Sequence, residues 1–238
     1  MEYDEVVTAR KSARGYLDKQ VPRELIDEII GLAKRCPSSM NSQPWHVHVL
    51  TGAPLNEVRR RNMEVMAAGG KSKRDVFAHP PYDGEHRRRQ VDVAKKLFGA
   101  MGIARDDKEK RQDWVLRGYR QFDAPVSLVL TYDRCLEPGV TPLFDLGALA
   151  CGIVNAAWSR GLGCVVNGQG VNRSDIVREV ANIPEDEVIM VCIAMGYPDD
   201  TFAANHVRSD REPNENFVSY VGFDADESSQ RTDDAACA

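Results

Sequence analysis

Apolar residues recur at three- and four-residue spacing over Leu25, Ile26, Ile29, Ile30 and Ala33, the stripe of a helix that turns one face to a core. Pro22 opens this helix, in a first-turn position that tolerates a missing N–H, and Cys36-Pro37 ends it. A shorter helix over residues 2–9 would set Tyr3, Val6 and Val7 on one side. His46–Leu50 reads as a strand, and Val126–Tyr132 is almost uniformly apolar, the pattern of a central strand covered on both faces. Leu143–Arg160 is the longest helix candidate, and its small residues, among them Gly147, Cys151 and Gly152, let another backbone come close. Gly161-Leu162-Gly163 ends it; a strand at Cys164–Asn167, a helix at about 174–182 and a last core strand at Val188–Met195 follow.

Residues 54–121 break this rhythm. They are charged and helical in character, interrupted by His79-Pro80-Pro81-Tyr82-Asp83-Gly84, which predicts a loop. The stretch reads as an excursion from the core that could cover a site. Residues 196–223 carry little periodicity and read as an extended arm, and the acidic tail 224–238 is expected to be disordered. The organisation expected is therefore one domain over 1–223 with a helical lid.

Composition narrows the function classes. The 238 residues are 42% hydrophobic and 28% charged, which describes a globular protein, and the net charge of −5 argues against nucleic acid or an anionic membrane as partner. The triplets Arg59-Arg60-Arg61 and Arg87-Arg88-Arg89 read as solvated faces. No apolar run approaches the ~18 residues of a membrane span, and the N-terminus lacks the apolar stretch of a signal peptide. The six cysteines are scattered without a close pair and read mostly as reduced, buried small hydrophobes, so a cytoplasmic location is expected.

Three constellations could carry chemistry. Arg10-Lys11-Ser12-Ala13-Arg14 places three cations and a hydroxyl within five residues, enough to hold a phosphate, although cations at a helix C-terminus also complement the helix dipole. Pro37-Ser38-Ser39-Met40-Asn41-Ser42-Gln43-Pro44-Trp45 crowds polar side chains between two prolines; a planar heterocycle needs such a mixture of donors and acceptors, and ordinary turn chemistry would look the same. Trp45 reads as a core anchor. In Gly161–Gly170 the glycines follow a helix and precede a strand, the reverse of a dinucleotide turn. What remains is Asn167-Gly168-Gln169-Gly170, where glycines at a strand end let backbone N–H approach a flat ligand, or merely make a loop. Gly70-Lys71-Ser72 lacks the first glycine of a P-loop, since Val65 stands there. His46 and His48 would share a strand face without a ligand nearby in sequence, so no metal is expected, and no GxSxG or HExxH is present.

Taken together, these blocks resemble the nitroreductase family of flavoproteins. The matching elements are Arg10-Lys11-Ser12-x-Arg14, the block Pro37 to His46, Asp145-Leu146-Gly147 through Gly161-Leu162-Gly163, and Gly196-Tyr197-Pro198 with Arg211 beyond it; they cover about 1–223, and the second is the most specific. The resemblance implies an α+β fold, a mostly antiparallel central sheet flanked by helices, in an intertwined homodimer with two FMN sites at its interface. Arg10, Lys11, Ser12 and Arg211, with Arg208, would hold the FMN phosphate and ribityl chain, and Arg14 the pyrimidine edge. Pro37, Ser38, Ser39 and Asn41 would come from the second copy, while Asn167, Gly168 and Gln169 would present backbone N–H to flavin N5 and O4. Contacts just before the central strand map onto Arg117 or Arg120.

The reaction so implied is ping-pong: NADPH or NADH gives hydride to flavin N5, and a nitroaromatic or other electron-poor substrate takes it in turn. The cofactor carries that chemistry, so no catalytic side chain is expected. The rivals are another flavin reaction on the same fold (quinone or ene reduction, reductive dehalogenation, dehydrogenation) and a flavin-binding protein without nicotinamide turnover. Phe77, Tyr82 and Phe98 in the lid could stack on an aromatic substrate or pack among themselves.

Overall fold

The computed structural model of the chain describes residues 2–76 and 80–223. Phe77, His79 and the acidic tail lie outside the described residues. Met1–Val207 form one compact unit, and Arg208 onward form another.

The chain is α+β. A four-stranded sheet runs in the order β1 (Trp45–Thr51), β2 (Val126–Asp133), β4 (Glu187–Gly196), β3 (Gly163–Asn167), each neighbouring pair antiparallel. The near-continuous apolar run of β2 is explained by its place: it is flanked by β1 and β4 and covered on both faces, and Val126 to Tyr132 are all buried. Leu128 and Leu130 point to one core, shared with Ile26 and Ile29 of α2 (Arg23–Ala33) and Leu146, Leu149 and Ile153 of α6 (Thr141–Trp158). Val129 points the other way, to Leu55 and Val58 of α3 (Gly52–Ala67) and Val177 of α7 (Ser174–Ala181). Trp45 packs against the first core, as expected of an anchor.

Element ends shift from expectation for local reasons. Pro22 precedes α2 in extended backbone, φ −61° and ψ 143°, so it caps the helix instead of entering it. Pro142 sits in the first turn of α6, which therefore starts at Thr141. That helix is, among the described residues, the one long and apolar enough to cross a membrane by length and composition. It nevertheless carries the buried Asp145 and packs against α2 and the sheet.

The charged excursion divides in two. Its first helix, α3, belongs to the core, because Leu55 and Val58 are fully buried beneath the sheet. α4 (Gly84–Ala100) and α5 (Lys108–Tyr119) stand farther out: α4 buries only Leu97, and α5 only Gly118. The expectation for cysteine holds for Cys164 and Cys192, which are buried, and fails for Cys135 and Cys151, which are exposed. Residues 197–207 contain a 3₁₀ turn at Ala203–His206; in the second unit, Asn214–Asn216 form another.

Candidate functional site

α1 (Tyr3–Ala9) stops at Arg10, and the chain then runs beside β3. Ser12 bridges Cys164 in parallel, the Ala13 N–H donates to the Cys164 carbonyl at 3.0 Å, and Ala13 is buried. The approach requires Gly163, where a Cβ would come within 2.6 Å of the Ala13 methyl. The next turn is fixed by Asn205, which no feature of its sequence surroundings singles out. Its buried carboxamide accepts from the N–H groups of Arg14 (2.6 Å) and Gly15 (3.2 Å) and donates to the carbonyls of Gly15 (2.8 Å) and Asp199 (2.9 Å). Tyr16 completes the clamp: its hydroxyl lies 2.8 Å from the Ala13 carbonyl and 3.2 Å from that of Ala194, and burial pushes its pKa well up, so it stays a donor.

Arg14, thus held, is the informative residue. Burial lowers its pKa, and no carboxylate among the described residues offsets that. A buried cation is ordinarily paired, because desolvation costs several kcal/mol unless an anion or acceptor answers it. Arg10, Lys11 and Ser12 lead into it, so this segment offers donors and positive charge and asks for a negative partner. Phe202 fills the space a Cβ at Gly15 would need, and the Arg117 guanidinium stacks 4.8 Å from its ring centroid. Of the two arginines suggested before the central strand, Arg117 is therefore the one brought beside this segment. Arg120 is engaged by Asp123 and Asp113, at 3.2 and 3.8 Å.

The loop from Pro37 to Pro44 is strained. Met40, Asn41 and Gln43 all adopt left-handed backbone, φ 52°, 58° and 47°, at about 1 kcal/mol or more for each. Asp145, only 2% exposed at the start of α6, accepts the Ser39 N–H on both oxygens at 3.1–3.2 Å, and Ser38 Oγ accepts from the Gln43 N–H at 3.0 Å. The loop therefore sits at the N-terminal end of α6, whereas Ala13 meets Gly163 beyond its C-terminal end. From Asp145 to Trp158 the helix rises about 20 Å. Within one chain, Arg10–Arg14 and Ser38–Asn41 are not brought together.

The turn after β3 is occupied by this chain's own groups. The Asn167 side chain donates to the Gly118 carbonyl at 2.7 Å and accepts from the N–H groups of Gln169 (2.8 Å) and Gly170 (3.3 Å). The Gln169 carboxamide packs on Gly118, where a Cβ would clash with it, and donates to the Val115 carbonyl at 3.3 Å. The Arg74 guanidinium lies against Gly168. Just before β2, Gln121, Phe122 and Asp123 are consecutively left-handed, φ 57°, 54° and 56°, with Gln121 and Phe122 buried. Arg208 and Arg211 lie in the second unit, where Arg211 donates to Ser209 Oγ at 2.8 Å.

His46 and His48 do find carboxylates, across the sheet instead of along the sequence. His46 Nε2 lies 2.8 Å from Asp133, and His48 Nε2 2.6 Å from Glu187, which Thr131 Oγ1 also contacts. Among the described residues, no cluster of three or more His, Cys, Asp or Glu could hold a metal.

The donor set at Arg10, Lys11, Ser12 and Arg14 fits a phosphorylated, anionic cofactor such as FMN, because a buried guanidinium without a counter-charge is what such a group would answer. A family model described as "Nitroreductase family" matches residues 7–197. The chain is 32% identical to a 4-nitrobenzoate reductase of Nocardioides sp. (strain LMS-CY) over 228 residues, covering 94% of this chain and 92% of that one. It is likewise 32% identical to a chloronitrobenzene nitroreductase of Comamonas testosteroni over 221 residues, 92% of this chain and 96% of that one. Among solved structures, an FMN and NADPH-dependent nitroreductase NfnB from sphigopyxis sp. strain HMH superposes with a TM-score of 0.87 at 26% identity, covering 94% of this chain and all of that one.

Proposed function

The chain belongs to the nitroreductase family, and from that premise we propose how it works and which residues do the work. It is an FMN-dependent NAD(P)H oxidoreductase that reduces nitroaromatic compounds. The observation that carries its cofactor site is Arg14, a largely buried cation with no carboxylate partner among the described residues, at the end of a run of donors. When bound, FMN would supply the redox chemistry, relaying hydride from the nicotinamide nucleotide to the nitro compound.

The side chains bind and orient. Arg10, Lys11 and Ser12 hold the phosphate and ribityl chain. Arg14 answers charge at the pyrimidine edge, where a fixed cation is worth most because the water around it is excluded. Asn205 and Tyr16 keep that segment in place without touching the ligand. Asn167, Gly168 and Gln169 contribute the shape of the turn: the side chains of Asn167 and Gln169 are spent on α5, and the Gln169 N–H, held by Asn167 Oδ1, would have to leave that bond to reach the flavin. Protons come from water, so no side-chain acid or base is assigned.

Pro37, Ser38, Ser39 and Asn41 act from a second copy, and the active form is a cytoplasmic homodimer. Two features support this: the length of α6 between the two groups, and an apolar exposed stripe on that helix. Phe144 is 79% and Val140 77% exposed, Gly147 and Cys151 continue the stripe, and Tyr3 and Val7 of α1 add to it. A contiguous apolar surface of this kind marks a contact face.

The test is the visible spectrum of the purified protein, followed by anaerobic NADPH and then a nitroarene. A yellow protein that bleaches and regains its colour with substrate is the expected result. A colourless protein that takes up no FMN would overturn the reading.

A further inference from the structure

The outer part of the excursion holds a second cationic site. α4 lays one face, Arg87, Val91, Lys95 and Phe98, toward the segment from Ile103 to Arg111, and a groove of about 700 Å³ lies between them, within the range of small-molecule sites. Its floor is apolar, from Val91, Phe98 and Ile103, and its rim carries Arg87, Lys95, Arg105 and Arg111. Among the described residues, none that lines it is acidic.

The neighbouring cations behave differently. Arg88 pairs with Glu85 and Asp92, Lys110 with Asp107, and Arg60 with Glu57 and Glu64. Around the groove, among the described residues, Arg87 finds the neutral Gln90, at 2.6 Å, and Arg111 the face of Phe98, at 4.6 Å from its centroid. Four like charges around one apolar groove repel one another, in a chain whose net charge is negative. An anionic group relieves that repulsion, and a flat ring attached to it covers the floor.

We infer that this groove binds a planar ring bearing an anionic group. Two sources share that chemistry: an aromatic carboxylate of the nitrobenzoate kind, and the phosphorylated adenosine end of NADPH. The biological meaning of either source rests on the reductase reading above; the site itself does not. The apolar floor argues against inorganic phosphate alone, and the rim argues against neutral nitroarenes. Guanidinium groups suit both candidates because they pair with carboxylate or phosphate in a fork and stack on rings.

The experiment is calorimetric titration of the FMN-loaded protein at low salt with 4-nitrobenzoate, nitrobenzene, adenosine 2′-phosphate and adenosine. It is repeated on the double variant Arg105→Ala/Arg111→Ala and on Lys95→Glu. At least one anion should bind tenfold or more tightly than its neutral analogue. That preference should fall about tenfold in both variants, while their flavin absorbance stays unchanged. Preference for the carboxylate alone assigns the groove to an aromatic acid, preference for the phosphate alone to the dinucleotide, and both together leave the class standing with no selection between them. Equal binding of anion and neutral analogue, or a preference that survives in both variants, overturns the inference. The flavin reading fails separately, through a colourless protein or one that NADPH does not bleach.

Discussion

The two cationic regions of this protein are alike in the charges they gather and unlike in physics. Arg10–Arg14 and the groove between α4 and Arg111 each gather several cations with no acid among them. The first is built into the fold: Ala13 is buried against β3, Asn205 grips the backbone on both sides of Gly15, and Arg14 is largely removed from water. The second is borne on outlying helices, with Arg87, Lys95 and Arg105 exposed. A buried cation pays for its desolvation every moment it lacks a partner. An exposed one is screened over a Debye length of about 8 Å and costs little. The buried region therefore demands a resident ligand, and the exposed one suits a visitor that comes and goes.

Arg14→Ala against Arg111→Ala in one assay would break or confirm this contrast, and carries the largest expected effect. Arg14→Ala should weaken FMN binding at least ~100-fold, about 3 kcal/mol, read by flavin fluorescence on titration. It should leave the apoprotein as stable or more so, because an uncompensated buried charge has gone. Arg111→Ala should change neither by more than about 0.5 kcal/mol, as expected of a half-buried position on an outlying helix away from the core. Loss of apoprotein stability in Arg14→Ala would mean that its role is structural.

Gly147→Leu sharpens the comparison by separating the sites by copy number. A Cβ at Gly147 meets nothing within 4 Å in its own chain, so the fold tolerates the side chain. A second copy packed on α6 does not, and overpacking there costs about 2 kcal/mol. Analytical ultracentrifugation should show roughly 30-fold weaker self-association, with FMN affinity falling in step and groove binding unchanged. Self-association unaffected by the leucine would place any dimer contact elsewhere.

The smallest effect concerns Glu187, which belongs to neither region and serves as a control. Its burial raises the carboxyl pKa, but the bonds from Thr131 and His48 outweigh it, and the net shift is downward. A depressed folded-state pKa adds stability above the unfolded value of 4.5 and loses it as pH falls through the folded one. Thr131→Val should reduce the gap in melting temperature between pH 7 and pH 4 by about 1–2 °C, corresponding to roughly 0.5 kcal/mol. An unchanged gap would show that Thr131 does not hold Glu187 ionised.

Much of this was legible in the chain. The helical stripe Leu25–Ala33 and the doubly buried run Val126–Tyr132 follow from periodicity, because each face must meet either water or the core. The arginine triplets show the limit. Read as solvated faces, they hold for Arg60, Arg61 and Arg88, which pair with carboxylates. Arg59 instead goes inward to the Ala124 carbonyl, while Arg87, exposed as expected, lines the groove. Three adjacent residues on a helix point in three directions, and what each meets is set by distant chain.

By itself, then, the sequence determined the elements, the donor-rich N-terminal segment and the strained, polar loop at Pro37–Pro44, since these depend on residues a few positions apart. Tertiary structure alone decided that Asn205 would hold Arg14 from 191 residues away, that Asp145 would tie down Ser39, and that His48 would find Glu187 across the sheet. It also decided that Arg14 would meet no carboxylate among the described residues. Burial and pairing are properties of what the folded chain brings alongside a residue, and no local pattern encodes them.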